Sequence, residues 1–374
     1  MNSYKHLEVY FHDRKVGTLA KAGRCQVAFE YSAEWLDQGF SISPFSLPLE
    51  KKVFLPKVDP FDGLFGVFAD SLPDGWGRLL VDRFLIKKGM NPNTVDPINR
   101  LAIVNQAGMG ALTYVPNYEM EEVFSDKELD EIATECRKLF DTDMCDDLDT
   151  LFALGGSSGG ARPKIYTVVD EDPWIIKFPS SMDSKNIGKE EYDYSLCAKE
   201  CGIEMAETRL FPSSQCEGYF GTRRFDRVGE KRIHMISASA LLETSHRIPN
   251  LDYNILMQLV LKLTGDYEEV EKMYRLMCFN VFAHNRDDHS KNFSFLYDEQ
   301  EKRYKLSPAY DLTYSNSLGG EHATCINRNG SNPSKKDILA VADKMNMNHQ
   351  KAVRIVNEIE EITKEYLHSY LKLG

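Results

Sequence analysis

The segment Asn285-Arg-Asp-Asp-His-Ser-Lys-Asn292, taken together with Tyr310-Asp-Leu312, constrains this chain more than any other stretch. It sets an aspartate and an asparagine five positions apart, Asp287 and Asn292, with Lys291 between them, and a further acidic residue, Asp311, after a short insertion. Inside that insertion Phe293-Ser-Phe-Leu-Tyr297 and Tyr304-Lys-Leu306 alternate in polarity around the polar turn 298–302, a pattern that predicts a β-hairpin. A hairpin returns the chain to its starting point, so the two acidic ends are expected in one cleft. Phe282, Phe293, Phe295, Pro308 and Tyr310 flank the polar set and would bury its edges. The alternative is a solvated loop.

These residue types at this spacing suit phosphoryl transfer. One aspartate accepts the proton of an attacking hydroxyl, an asparagine five residues on holds magnesium, and a later aspartate holds the metal against nucleotide phosphates. Asp288 competes with Asp287 for the first role, and the spacing to Asn292 favours Asp287. His289 reads as a hydrogen-bonding brace of the loop rather than a base, and His284 and His322 carry no assigned role.

Gly155-Gly-Ser-Ser-Gly-Gly160-Ala-Arg-Pro-Lys164 is the second informative segment. Glycines and serines in such density can present successive backbone N–H groups to an anion, so those of Ser157, Ser158, Gly159 and Gly160 are expected to face phosphates. Ala161 stands where a Walker A loop needs lysine, and no helix signal follows. A mobile linker is the competing reading. Strands predicted at Ile165–Val169 and Trp174–Phe178 follow the loop, and the second carries Lys177. Loop, strand and strand-borne lysine is the order found in kinases. A charge in an apolar strand is costly unless paired, and Glu191, in the predicted helix Glu190–Glu200, is the candidate partner. The alternative for Lys177 is an edge-strand lysine facing solvent. Arg223-Arg-Phe-Asp-Arg227 follows a predicted strand near 218–222 and reads either as a hinge that meets an adenine edge through its backbone or as a charged surface turn.

The rest of the chain sets the frame. At 374 residues it exceeds one compact core. Residues 5–60 alternate as strands at Leu7–Phe11, Cys25–Tyr31 and Ser41–Leu49; a helix is predicted over Asp74–Lys88, and strands at Leu101–Val104 and Ala111–Val115. Ser125–Glu128 reads as a capping box opening a helix to about Phe140, and Asp141–Asp149 as a linker. From residue 250 the periodicity is helical over 251–264, 267–283, 335–345 and 348–371. The start of the chain lacks the apolar core of a signal peptide, no apolar run reaches membrane-span length, and the expected compartment is the cytoplasm with no membrane partner. Eight cysteines without a C-x-x-C pair make a zinc site improbable; Cys197 and Cys201 read as buried thiols. A net charge of −12 repels a phosphate backbone, which argues against direct nucleic-acid binding but not against a nucleotide held by local donors and a divalent metal.

Seven segments in order give a resemblance to a known family: Ser46-Leu-Pro-Leu49, Asp70-Ser-Leu-Pro-Asp-Gly-Trp-Gly-Arg78, Gly159-Gly-Ala-Arg-Pro-Lys164, Ile176-Lys-Phe178, Arg224-Phe-Asp-Arg227, Asp287-Asp-His-Ser-Lys-Asn292 and Pro308-Ala-Tyr-Asp311. The chain resembles the HipA family, kinase-like toxins of bacterial type II toxin–antitoxin modules. The resemblance implies an α+β, bilobal protein-kinase-like (HipA-like) fold: an N-terminal β-rich module over 1–118, a small-lobe-like region over 119–227 and an all-helical C-terminal lobe over 228–374. It implies a serine/threonine protein kinase that uses ATP and Mg²⁺. Asp287 would be the catalytic base and Asn292 and Asp311 the metal ligands. Ser157, Ser158, Gly159, Gly160, Lys164, Lys177, Glu191, Arg223 and Phe225 would form the ATP site. Ser157, or Ser158 beside it, would be autophosphorylated. The implied partners are a protein substrate, such as a tRNA-charging enzyme, and a small helix-turn-helix antitoxin (HipB-like) through which alone DNA is met. The chain departs from the family at Arg162, where glutamine is common, and at Arg223, where glutamate is common; neither removes a catalytic group. A small-molecule kinase on the same fold and a non-catalytic nucleotide-binding co-repressor are the alternative readings.

Overall fold

The computed structural model describes residues 4–23, 25–104, 108–118, 127–317 and 319–371. It divides into two compact units, one formed by Met1–Gly188, Leu210–Ile236 and Ala240–Glu243, the other by Lys189–Arg209, Ser237–Ser239 and Thr244–Gly374.

The first unit begins with an antiparallel sheet of β1 (His6–Phe11), β2 (Arg14–Ala22), β3 (Gln26–Tyr31), β4 (Val53–Phe54) and β5 (Leu112–Val115), in the order β4-β3-β2-β1-β5. Leu7, Val9 and Phe11 alternate into its core, as the period-two pattern requires. The sequence did not mark β2, whose alternation is interrupted by Lys15, Gly17 and Lys21. Nor did it mark α1 (Ala33–Gln38), which Ser32 caps by accepting the Trp35 N–H at 3.1 Å. The strand expected over Ser41–Leu49 reduces to one isolated bridge, Ser43 to Leu47, because Pro44 and Pro48 cannot donate to a ladder. α2 (Gly66–Ala69) and α3 (Gly75–Lys87) follow, then α4 (Pro97–Leu101). The strand expected at Leu101–Val104 is therefore the end of a helix; Asp96 caps it and Pro97 occupies its first turn.

α5 (Leu129–Thr142) starts just after the proposed capping box, of which Ser125 and Asp126 lie outside the described residues. The expected linker 141–149 shortens because Asp147 caps a further helix, α6 (Leu148–Gly155), by accepting the Thr150 N–H. β6 (Lys164–Val169) and β7 (Asp172–Lys177) come next. The chain passes to the second unit in α7 (Ile187–Glu200) and returns in β8 (Thr208–Phe211) and β9 (Tyr219–Arg223), giving the strand order β6-β7-β9-β8. Trp76, Leu80, Phe84, Ile132, Leu139, Leu151, Phe152, Ile165 and Ile176 form one core that ties α3, α5 and α6 to this sheet. The short pair β10 (Arg227–Val228) and β11 (Lys231–Arg232), then β12 (Met235–Ser237) and α8 (Ala238–Leu241), precede the final crossing.

Asp130 pins α5 to the β8–β9 connection. One of its oxygens accepts the Ser213 and Tyr219 hydroxyls at 2.7 Å each, the other the Ser214 hydroxyl at 2.6 Å and N–H at 2.9 Å. These donors, Ser214 foremost, hold its carboxyl well below the usual carboxylate range. A depressed folded pKa means that the ionised form contributes stability above the unfolded value near 4 and loses it as pH falls. Asp130→Asn is expected to cost about 1 kcal/mol at pH 7, a figure discounted for its partial exposure. In urea unfolding the gap to the native protein should close below about pH 4. A gap that persists unchanged in acid would mean that the charge is not what the clasp uses.

The second unit is helical apart from a hairpin and a short parallel pair. α9 (Tyr253–Thr264), α10 (Tyr267–Phe282), α11 (Lys335–Lys344), α12 (His349–Tyr366) and α13 (His368–Leu371) stand where the periodicity put helices. Met257, Val260, Val270, Met273, Met277, Phe279, Ile338, Ile355 and Ile359 are buried among them. β13 (Leu251–Asp252) runs parallel to β16 (Thr324–Cys325), and the predicted hairpin is β14 (Ser294–Asp298) with β15 (Arg303–Leu306), Phe295 opposite Leu306. The buried Glu269 of α10 accepts the Leu306 N–H at 2.6 Å and so fixes the returning strand. Cys197 and Cys201 are buried, free thiols, as read. Among the described residues no helix is long and apolar enough to cross a membrane.

Candidate active site

In the second unit the hairpin ladder runs one step past its last strand pair, where the Ser307 N–H donates to the Ser294 carbonyl at 2.9 Å. The Tyr310 hydroxyl then donates to the Lys291 carbonyl at 2.6 Å and lies 2.5 Å from the Ser294 hydroxyl. The residue before Asp311 is thereby bonded to the residue before Asn292, which is the convergence the hairpin predicted. Asn292 ends a single 3-10 turn, Ser290–Asn292; its N–H meets the His289 carbonyl at 2.8 Å and its side-chain amide donates to the Asp287 carbonyl at 2.7 Å. With the nitrogen so used, the amide oxygen is the atom that can meet a cation. Asp311 has φ +53°, a left-handed conformation uncommon outside glycine that aspartate tolerates better than most residues. Strained backbone of this kind concentrates at functional sites. Two residues on, the Thr313 hydroxyl donates to Glu190 of α7 at 2.9 Å, next to the buried Glu191.

The two adjacent aspartates part company. Asp287 is exposed, whereas Asp288 is buried and fully occupied: it accepts the Tyr253 hydroxyl at 2.9 Å and the Thr324 N–H at 3.1 Å, and His322 Nδ1 lies at 3.0 Å. Its carbonyl accepts the Thr324 hydroxyl at 2.5 Å. Asn280 and Asn285 continue the chain behind Tyr253, at 2.9 Å per bond. The bracing expected of His289 therefore falls to Asp288 and to His322, which the sequence left without a role. No local signal marks His322, because its partner is distant in sequence. His289 instead packs its ring 5.3 Å from that of His246, and its Nδ1 makes no hydrogen bond among the described residues.

In the first unit the glycine-rich loop starts where α6 ends. Ser157 and Ser158 are both buried, and the Ser158 N–H and hydroxyl both donate to the Gly155 carbonyl, at 3.0 and 2.6 Å. The Gly160 N–H donates to the Asp74 carboxylate, and the Gly160 carbonyl accepts the Trp76 N–H at 2.9 Å. The expected display of loop N–H groups toward phosphates is thus corrected at Ser158 and Gly160, whose N–H groups have acceptors within the unit. The bonds of Gly160 tie the loop to the start of α3. Gly159 lies beside Asp74, since a Cβ there would sit 3.1 Å from its Oδ1.

Lys164 and Lys177 stand directly opposite each other at the loop end of β6 and β7, so both side chains leave one face of the sheet. β7 is an interior strand, and the Lys177 ammonium lies 5.5 Å from the Phe220 ring centroid, which removes the solvent-facing edge-strand reading. Two cations facing each other favour anions at this end of the sheet. Arg223 reaches Asp172 at 2.5 Å and Phe225 is half-buried. Between them the charged-turn reading fails. Asp226 is completely buried, doubly bonded to Arg224 at 2.9 Å, bonded to Arg227 at 2.7 Å and to the Gly110 N–H at 2.8 Å.

Residues 7–115 match the family of the HipA N-terminal domain and residues 156–366 that of the HipA-like C-terminal domain. The chain belongs to the HipA family. It is 25% identical over 344 residues, 82% of this chain and 76% of the relative, to Y4mE of Sinorhizobium fredii, named as a candidate kinase. A second protein of that organism so named, Y4dM, is 23% identical over 206 residues, half of each chain. Among solved structures, HipA of a Shewanella oneidensis toxin–antitoxin system, in complex with HipB and operator DNA, superposes with a TM-score of 0.71 over 98% of this chain and 91% of that one, at 17% identity. The fold is thus HipA-like, of mixed α and β structure.

Proposed function

We propose that this protein is an ATP-dependent serine/threonine protein kinase and the toxin of a toxin–antitoxin module. The observation that carries the reading is the separation of the paired aspartates: Asp288 is spent on structure, while the exposed Asp287 stands beside Asn292, with Asp311 bonded in through Tyr310. Asp287 accepts the proton of the acceptor hydroxyl as the oxygen attacks phosphorus. Asn292 and Asp311 offer hard oxygen donors of the kind magnesium takes alongside phosphate oxygens and water, and would hold that ion, which neutralises phosphate charge. Lys164, Lys177 and the loop N–H groups of Ser157 and Gly159 take the phosphates, and Glu191 is assigned to the same ATP site. Arg223 and Phe225 meet the adenine through their backbone. Ser157 is the self-phosphorylation site in preference to Ser158, whose hydroxyl is already bonded to Gly155. The names of the two Sinorhizobium relatives favour a kinase. The Shewanella complex favours a HipB-like antitoxin as partner, with DNA reached only through it. We assign three functional regions, 1–118, 119–227 and 228–374, and a cytoplasmic location.

Incubation of the pure protein with labelled ATP, magnesium and a cell lysate tests the assignment. Label should appear on serine or threonine of a lysate protein and on the peptide containing Ser157. Magnesium-dependent protection by ATP against thermal unfolding should be present in the native protein and absent in Asp311→Ala. Label confined to small molecules would exclude a protein kinase, and undiminished protection in Asp311→Ala would remove that residue from the site.

A further inference from the structure

Asp74 stands at the N-cap of α3, yet its carboxylate caps no N–H of its own helix. An aspartate in that position ordinarily accepts the N–H two or three residues on. Here the bond is exchanged across the fold. Asp74 takes the Gly160 N–H, and the Trp76 N–H, two residues past the cap, goes to the Gly160 carbonyl at 2.9 Å. One residue of the glycine-rich loop thus supplies an acceptor to the first turn of α3, and the cap residue in return holds the loop.

The neighbouring glycines are fitted to this contact. A Cβ on Gly75, whose φ is +46°, would lie 2.3 Å from the Gly160 carbonyl oxygen, and one on Gly77 would lie 2.1 Å from that of Ser158. Both encounters are with backbone, which cannot swing aside. The Trp76 indole N–H reaches the Lys164 carbonyl at 3.1 Å, at the far end of the loop. The run Asp74-Gly-Trp-Gly77 is therefore a cradle for residues 155–164, made by a helix start outside the sheet that bears the loop.

We propose that Asp74 is a positioning residue for nucleotide binding: it latches the glycine-rich loop to α3 and sets the loop geometry that ATP meets. The proposal rests on the nucleotide site assigned above. Asp74 touches no reacting atom, and its effect is expected on affinity for ATP rather than on the transfer step.

The test separates the latch from the nucleotide reading. Amide hydrogen exchange, followed by mass spectrometry, is measured on the native protein and on Asp74→Ala, Asp74→Asn and Gly77→Ala, together with melting temperature and the Kd for magnesium-ATP. In Asp74→Ala the peptide covering 156–161 should exchange at least about tenfold faster, peptides of β6 and β7 should be unchanged, and the Kd should rise about tenfold. Asp74→Asn keeps a carbonyl acceptor and should restore most of both. Gly77→Ala improves helix propensity, so α3 alone would gain from it. The loop contact predicts the opposite: a Cβ forced against the Ser158 carbonyl should give faster loop exchange, weaker ATP binding and a lower melting temperature. Unchanged loop exchange in both Asp74→Ala and Gly77→Ala overturns the latch. Faster exchange with an unchanged Kd overturns its role in nucleotide binding. A native protein that binds no ATP sinks the nucleotide reading, and with it the proposed role in affinity, while the exchange data still decide the latch.

Discussion

Asp287→Asn will melt at the native temperature, still bind ATP, and lose phosphoryl transfer by at least about 10²-fold, the lower end of what a general base contributes. Such a loss corresponds to about 2.7 kcal/mol of transition-state stabilisation. Asparagine matches aspartate in size and can still accept a hydrogen bond, so the acceptor hydroxyl can be oriented but not relieved of its proton. Asp287 is exposed, and the bond from Asn292 goes to its backbone carbonyl, so the substitution leaves that contact in place. Asp288→Asn is the matched control and should behave in the opposite way. Its carboxylate receives Tyr253, His322 and the Thr324 N–H, so an amide there turns one acceptor into a donor inside a buried network and lowers stability. Thermal melts and turnover on the same two variants decide the matter. An inactive Asp288→Asn of native stability beside an active Asp287→Asn would exchange the two roles.

The sequence made some of this legible, and the division follows the range of the interactions. The hairpin between Asn292 and Asp311 was readable because alternation and turn composition are local. α9 to α12 were readable because an apolar stripe repeats within one helix. β2 was missed because Lys15, Gly17 and Lys21 interrupt its alternation, although its pairing with β1 and β3 decides the matter in the fold. The strands expected at Ser41–Leu49 and Leu101–Val104 failed where proline chemistry outweighed apolar content. At the site, the spacing from Asp287 to Asn292 set the two aspartates apart, and the structure buries Asp288 while leaving Asp287 exposed. What gives Asp288 its role lies far along the chain, in Tyr253, His322 and Thr324, and no local pattern records such partners. Asp74 is the same case. Its motif was visible as Pro-Asp-Gly, a turn opening a helix. The glycines at 75 and 77 acquire their meaning only from the loop backbone that lies against them.

Asp226→Asn should reduce the free energy of unfolding by about 3–5 kcal/mol, the cost of breaking a buried ion pair from one side. That is a large part of the 5–15 kcal/mol by which a domain is ordinarily stable. Asp226 is wholly buried beneath Arg224 and Arg227, and both guanidinium groups also donate to the Gly108 carbonyl, at 2.9 and 2.6 Å. Burial alone would raise the pKa of this carboxyl. The Arg224 charge and its hydrogen bonds, with Arg227 and the Gly110 N–H behind them, pull it below the ordinary value instead. The arginines have no comparable freedom, and burial brings Arg227 down only to about 10. A guanidinium does not give up its proton near neutral pH, so both arginines stay charged when the carboxylate is removed, and the variant holds two buried cations without their anion. Since the folded pKa of Asp226 is depressed, its contribution is complete above the unfolded value near 4 and is lost only as pH falls below it. The nearby Arg223–Asp172 pair supplies the contrast: it is partly exposed on both sides, and Asp172→Asn should cost no more than about 1 kcal/mol. Denaturant unfolding of both variants at pH 7 measures the difference directly. An Asp226→Asn protein within about 1 kcal/mol of native would mean that water reaches the arginines, and that the Arg-Phe-Asp-Arg segment does not anchor the loop 108–110.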